Sequence, residues 1–508
     1  MNFSLLFAKI SSLTLLSRIL GFIRDFLIAF YFGVSNKTDI FFVTFRIPNL
    51  LRRFFAEGAF NQAFLPSFSE IDHNSHVESK KFFCKCFTFL ALILITLSIF
   101  AIIFSSYIVF IVAPGFQDKP NDHELLFLLF KITFPYIFFI SLTSICSAVL
   151  NSRNFFSIPA FTPAILNLSF IFFIIFLSPL LEEPIISLGL AVFFGGFFQL
   201  LLQIYYLKKI NFWPIKFNFQ FKDPALKKTL KLMIPGIIGG SASQISLLVN
   251  TILASFMISG VITWIYYADR FMELPIALVS ASIGTILLAK LSEYSSKNQI
   301  MEFRRSLING IYLSIIFISP FFIAFNFFGI PIISSTLFFG KFQYEDVTQI
   351  NTILMIYAYG IFPMALNKIL ANVFFSNKDT KTPAIGGLIS ISITQLINFI
   401  FIWDYGFIVL AYSLIIGSYV NLIFLLIKVK KDYFYEHKKK LISIILKIFS
   451  ILLPCALLLS YISTFEEFWR LGSSISKLTI LSLVIVLLTL YYYYSLKFLK
   501  INYKNFKV

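Results

Sequence analysis

TDIFFVTFRIPNLLRRFFAEGAFNQAFLP, residues 38–66, is apolar enough to enter a membrane, yet it carries Asp39, Arg46, Arg52, Arg53 and Glu57 within one helix-length stretch. An Arg or Asp at the bilayer centre costs about 2.5–3.5 kcal/mol on insertion scales. Such residues persist where they face a wet cavity or a partner. The stretch therefore reads as a transmembrane helix that lines a polar path. Outward from it, apolar runs recur along the whole chain at roughly the 20 residues needed to cross a bilayer. They fall near 10–33, 38–65, 85–112, 125–150, 158–179, 186–207, 229–257, 263–290, 306–328, 348–375, 383–403, 407–428, 442–462 and 474–497. The expected fold class is an all-α integral membrane protein of about fourteen transmembrane helices.

Composition agrees. Of 508 residues, 58% are hydrophobic and 13% are charged, against about 25% charged in soluble domains. The charge cannot cover a water-facing surface. The net charge is +18, but the lysines sit between apolar runs, which argues for topology rather than nucleic-acid binding. Cys84, Cys86, Cys146 and Cys455 lack metal-ligand spacing. The four histidines fall in expected loops. Arg18, Arg24 and Asp25 interrupt the first apolar run and no small-x-small cleavage site follows, so that span is expected to be retained.

Alternate loops gather the basic residues: Lys80, Lys81 and Lys85; Arg153; Lys208 through Lys231; Lys290 through Arg305; Lys378 and Lys381; Lys428 through Lys447; and the tail lysines. The opposite loops carry Asp122, Glu124, Glu182, Glu183, Glu466 and Glu467. The positive-inside rule then puts both termini in the cytoplasm. An internal repeat is visible as well. Ser152 with Pro159-Ala160 recurs as Ser376 with Pro383-Ala384, and LPSFSE at 65–70 resembles LAKLSE at 288–293. Two lobes of six parallel-repeated spans follow, an arrangement common in transporters. The lobes are expected at 1–215 and 216–436, with two further helices in 437–508.

The charges within spans are ordered. Ser17, Gly21, Arg24 and Asp25 share one helical face. Asp39, Arg46 and Arg53 recur every seven residues, and Arg53 can pair with Glu57 at i,i+4. Arg52 points off that stripe with no obvious local partner, and Pro48 should kink the helix. Asp269, Arg270 and Glu273 precede Pro275 in the related half. Snorkelling or structural pairing is the competing account of such arginines, and it is the preferred one for Lys9, Lys131 and Lys368 near span ends. Several guanidinium forks in one cavity suit a phosphorylated or carboxylated ligand. No G-x-x-x-x-G-K-[ST] loop is present, so the chain should not itself hydrolyse ATP.

NLLRRFFAEGAFNQAF, SRILGFIRD at 17–25, APGF at 113–116, KITFPYIFFISL at 131–142, SIPAFTPAILN at 157–167, SQISLLVNTILASF at 243–256, WIYYADRFMELP at 264–275 and GKF at 340–342 resemble the MurJ (MviN) lipid II flippases of the multidrug/oligosaccharidyl-lipid/polysaccharide exporter superfamily. The resemblance implies outward flipping of lipid II, the undecaprenyl-pyrophosphate-linked peptidoglycan precursor, across the bacterial inner membrane. It implies two lobes around a cationic cavity with alternating access, and a groove for the polyprenyl tail at the last two helices. By position, Arg18, Arg24, Asp39, Arg52 and Arg270 match the family's functional charges, and Asp25, Arg53 and Glu57 its supporting ones. Ser17, Arg46, Asp269 and Glu273 join the supporting set, with Arg46 as a general cation. No cofactor is expected; the energy source is expected to be the membrane potential or a monovalent cation bound at Asp39 or Glu57. Lipid II and membrane lipids are the expected partners, with cell-wall synthesis proteins as further candidates and no nucleic acid. The rivals are a sister exporter of another lipid-linked oligosaccharide or of drugs, and a membrane glycosyltransferase. A cation exporter wants an acidic cavity, and a glycosyltransferase wants a compact acidic motif that the loops lack.

Overall fold

The structure, a computed structural model, describes residues 3–52, 59–117, 120–213, 218–219, 223–279, 283–429, 433 and 438–499. Arg53 and Glu57, and with them their expected pair, lie outside the described residues.

The chain separates into two compact units, Met1–Ile262 and Thr263–Val508. The first holds α1 (Phe3–Phe32), α2 (Asn36–Arg52), α3 (Ala59–Asn74), α4 (His76–Ile103), α5 (Ser105–Val112), α6 (Pro120–Thr133), α7 (Tyr136–Ser152), α8 (Ser157–Phe172), α9 (Ile186–Lys209) and α10 (Pro224–Ser255). The second begins within α11 (Val261–Val279). It continues with α12 (Thr285–Ser296), α13 (Ile300–Phe327), α14 (Gly329–Thr336), α15 (Tyr344–Ser376), α16 (Lys381–Tyr405), α17 (Ile408–Lys428), α18 (Lys438–Ser463), α19 (Glu466–Leu471) and α20 (Ser474–Phe498). Helix is the regular answer for a backbone in lipid, where every N–H and C=O must be satisfied within the segment.

Among the described residues, ten helical segments are long and apolar enough to cross a membrane. They coincide with ten of the expected spans. The other four expected spans correspond to α1, the α2–α3 pair, α10 and the α11–α12 pair, which are the segments with ionised or small polar residues along their length. The protein is thus an all-α multi-pass membrane protein.

The repeat is written in the element boundaries. α5 and α14 are both eight residues long and start 224 positions apart, after breaks at Phe104 and Phe328. α6 and α15 begin at the same spacing, as do α8 and α16. The turns that follow α7 and α15 match in detail. Asn154 (φ 65°) and Lys378 (φ 61°) adopt the left-handed conformation. The next N–H, of Phe155 or Asp379, donates to the carbonyl of Leu150 or Phe374 at 2.9 Å in each case. This six-to-one bond closes a helix C-terminus and satisfies a carbonyl that the helix leaves open.

Within the first unit, α9 packs on both α7 and α8, α1 packs on α8, and α10 packs on α3. Small residues allow the approach: a Cβ at Gly195 would crowd Leu166 and Ser169, and one at Gly196 would crowd Tyr136 and Phe139. α10, which falls in the expected 216–436 lobe, lies with the first unit by its packing. Within the second unit, α15, α16 and α17 form one packed group, and α18 and α20 dock on α13 and α14. That dock buries Ile444, Ile448, Ile451, Cys455, Leu459 and Trp469. Polar ties fix it: Tyr492 Oη donates to the Ile316 carbonyl at 2.8 Å, and Ser334 Oγ donates to the Trp469 carbonyl at 2.5 Å.

Candidate transport site

Arg24 is 8% exposed although its helix, α1, is lined by exposed apolar side chains such as Leu15, Ile19 and Phe22. Its Nε and Nη2 donate to Asp25 Oδ1 at 3.0 and 2.7 Å, and its Nη1 donates to Asn167 Oδ1 on α8 at 3.1 Å. The guanidinium also lies 5.3 Å from the Phe170 ring centroid. Asn167 Nδ2 in turn donates to the Ser17 carbonyl at 3.0 Å. The amide orientation follows from chemistry, because only its oxygen can accept from a guanidinium. Gly21 leaves the room: a Cβ there would stand 3.4 Å from Asn167 Nδ2. The structure thus gathers Ser17, Gly21, Arg24 and Asp25 of the expected face around Asn167, and Ser17 contributes its backbone. Arg18, six residues earlier, is exposed.

On α2, Asp39 is 2% exposed and its Oδ2 accepts the Gly260 N–H at 2.6 Å. Gly260 (φ 99°) stands one residue before α11, in a conformation that favours glycine. Arg46, two turns along, donates from Nη1 to Thr251 Oγ1 on α10 at 2.8 Å. The seven-residue stripe is real to this extent: Asp39 and Arg46 both reach the 251–260 segment. The expectation that Arg52 lacks a local partner is corrected, since its Nε donates to Asn49 Oδ1 at 2.9 Å.

Arg270 stands in the second unit, on α11, exposed. Its Nη2 donates to Tyr266 Oη at 3.1 Å, its guanidinium lies 4.9 Å from the Tyr266 ring centroid, and Nη1 is 3.5 Å from Glu273 Oε2. Both members of that pair are open to solvent, so it holds Arg270 only weakly. Asp269 is half-buried beside it.

The basic residues read as topological also make ties at the Lys-rich end of the first unit. Arg153 Nη2 donates to Asp72 Oδ1 at 2.5 Å, and Ser79 Oγ donates to the same oxygen at 2.6 Å. Burial works to raise the Asp72 pKa, but bonds from Ser79 and His76 and the charge of Arg153 outweigh it and hold the carboxyl below its ordinary range. Lys85 Nζ bonds Asp223 Oδ2 at 2.6 Å. Asp223 also caps α10 by accepting from the N–H groups of Ala225 and Leu226.

Arg24, Asp39, Arg46, Arg52 and Arg270 sit on the segments that carry the family resemblance, and comparison with known proteins decides the matter. The family model described as lipid II flippase MurJ matches residues 28–482. The chain belongs to the MurJ lipid II flippase family. A curated family member from Buchnera aphidicola subsp. Schizaphis graminum, named probable lipid II flippase MurJ, is 38% identical over 501 residues, covering 98% of this chain and 97% of its own. The lipid II flippase MurJ of Burkholderia cenocepacia is 39% identical over 443 residues, 86% and 85% of the two chains. A solved lipid II flippase MurJ in an inward closed conformation superposes with a TM-score of 0.77 at 29% identity, covering 96% of this chain and 99% of its own. An inward-facing multidrug resistance transporter of the MOP superfamily shares the fold alone, with a TM-score of 0.62 at 13% identity over 83% of this chain and 96% of its own. The family is one of transporters rather than enzymes.

Sequence reading missed Asn167, Phe170, Thr251 and Gly260. Asn167 had a signal: it is an amide inside an otherwise apolar span, where a polar group needs a partner. The Gly260 N–H is a backbone group and leaves no side-chain signal.

Proposed function

We propose that this chain moves lipid II from the inner to the outer leaflet of the cytoplasmic membrane by alternating access. The family match over most of the chain carries the reading. The arginines support it: Arg18 and Arg270 expose planar forks suited to pyrophosphate, and Arg24 is held rigid by Asp25 and Asn167. Both termini face the cytoplasm on this reading, because the lysine-rich loops share one side. Proteins that make or consume lipid II are its natural partners, and the tail of the lipid runs along the α18–α20 face.

The energy source is the membrane potential. Arginines outnumber carboxylates among the transport charges. A negative interior, worth about 2.3 kcal/mol per charge per 100 mV over a full crossing, draws the empty cationic carrier inward. Bound pyrophosphate cancels that pull. The test is an outer-leaflet accessibility assay with lipid II in proteoliposomes, run with and without an imposed potassium-diffusion potential. Chemically unchanged lipid II should reach the far leaflet, at a rate that follows the size and sign of the potential. No transfer at any potential would sink the flippase reading. Transfer indifferent to potential would sink the voltage reading alone.

A further inference from the structure

Gln199 and Gln203 lie one turn apart on α9 and are 1% and 0% exposed. Both amides turn the same way. Gln199 Nε2 donates to the Thr162 carbonyl at 2.9 Å, and Gln203 Nε2 donates to Thr162 Oγ1 at 2.5 Å. The partners set the orientation of both amides. The Thr162 carbonyl only accepts, and the Thr162 hydroxyl already spends its proton on the Ile158 carbonyl at 3.0 Å. Both Oε1 atoms are thereby fixed as buried acceptors, and neither meets a donor among the described residues.

The packing of α9 points to a third group. Gly189 of α9 faces Leu129 and Ile132 of α6, and Gly196 faces Tyr136 and Phe139 of α7, so α9 advances seven residues for every seven of the α6–α7 segment. Continued by one more step, that register brings Thr143 of α7 level with the interval between Gln199 and Gln203. Thr143 is 2% exposed, and its Oγ1 also lacks a partner among the described residues.

We propose that these three atoms bind one internal water molecule. A water has two protons to give, one for each Oε1, and accepts the Thr143 hydroxyl proton. That count matches the three unmet groups, as is usual for buried waters, which make about three hydrogen bonds. A bare monovalent cation is a poorer fit. Three neutral oxygens with no carboxylate among them cannot replace its hydration shell. The water joins α7 to α9 where α9 is already joined to α8, and it gives this membrane-embedded seam a polar link that can exchange.

The test is an X-ray crystal structure of the full chain grown in a lipid mesophase, at a resolution that shows ordered water, with a parallel crystal soaked in rubidium. One peak is expected at about 2.7–3.0 Å from both Oε1 atoms and Thr143 Oγ1, with no anomalous signal. In Gln203→Met, which keeps length but removes the acceptor, the peak should vanish while α8 and α9 stay in place. If that variant does not fold, Thr143→Val serves, and the peak should lose occupancy. An empty seam, a peak that survives Gln203→Met or Thr143→Val undiminished, or an anomalous rubidium peak would overturn the proposal.

Discussion

Replacing Asn167 by alanine should slow lipid II flipping more than any other change to a neutral side chain in α8. The substitution removes the acceptor for Arg24 Nη1 at 3.1 Å and the donor to the Ser17 carbonyl at 3.0 Å. A bond to a charged group contributes about 1.5–3 kcal/mol in soluble proteins. Between membrane helices, hydrogen-bond couplings average about 0.6 kcal/mol and reach about 1.7, because separated helices find other partners in the bilayer. Arg24 keeps its Asp25 contacts in the variant, so the lower figures apply: about 1.5 kcal/mol for the charged bond and about 0.6 for the neutral one. The total of about 2 kcal/mol corresponds to roughly a 30-fold loss at one decade per 1.4 kcal/mol. The assay is flipping in proteoliposomes, normalised to folded protein, for Asn167→Ala, Arg24→Lys and the double variant. Lysine cannot hold Asp25 and Asn167 together. If both residues act through their shared bond, the double variant should lose less than the product of the single losses. A fully multiplicative double variant, or an Asn167→Ala protein that flips at the wild-type rate, would refute the reasoning.

Three other substitutions are informative. Asp39→Asn keeps an oxygen for the Gly260 N–H and should retain more activity than Asp39→Ala, which strands a backbone donor at a cost of about 1–3 kcal/mol; equal activities would mean that charge, not the bond, matters. Arg270→Lys should recover only a minor part of the lipid II affinity lost in Arg270→Ala, since lysine keeps the charge but loses the planar fork and the Tyr266 stacking, which contributes about 0.5–1 kcal/mol at an exposed site; equal affinities of the lysine variant and wild type in binding titrations would mean that charge alone matters. Asp72→Asn should lower thermal stability near neutral pH. The folded Asp72 carboxyl has a lowered pKa, so its contribution is present above the ordinary carboxylate range and is lost as pH falls through the folded value. The stability gap between variant and wild type should therefore close in acid, and a gap that widens there would contradict the Arg153–Asp72 assignment.

How far the sequence could be read depended on the kind of group involved. Arg24, Asp25 and Ser17 were legible because a 3.6-residue period puts them on one face of a helix that could be recognised by apolarity. The 152–160 and 376–384 motifs were legible as a repeat, and they mark a shared left-handed helix terminus at Asn154 and Lys378. What stayed hidden was whatever depends on a second helix. Asn167 meets Arg24 across 143 positions, and Gly260 meets Asp39 across 221. Arg52 differs: its partner Asn49 is local, three residues earlier on the same helix, but a neutral amide at that spacing leaves no charge pattern to mark it.

α10 shows why repeat and packing part company. By spacing, α10 corresponds to α1 and opens the second repeat, yet its contacts lie with the first unit. The residues explain this. A span crowded with Ser243, Gln244, Ser246, Asn250 and Thr251 has little apolar surface to offer lipid, and a polar group in a bilayer is held by whichever partner satisfies it. The ties at its two ends go to the first unit: Lys85 with Asp223, Glu70 with Lys228, Arg46 with Thr251, and the Gly115 N–H to Ser255 Oγ. They span the helix from one end to the other. A Cβ at Gly115 would also overlap the Ser255 carbonyl, so the last contact depends on glycine. Apolar spans can keep the arrangement their repeat dictates because lipid accepts any of their faces. Polar spans follow their hydrogen-bond partners, and α1, α2 and α11, three of the polar segments of this chain, are the ones on which the charges proposed for transport stand.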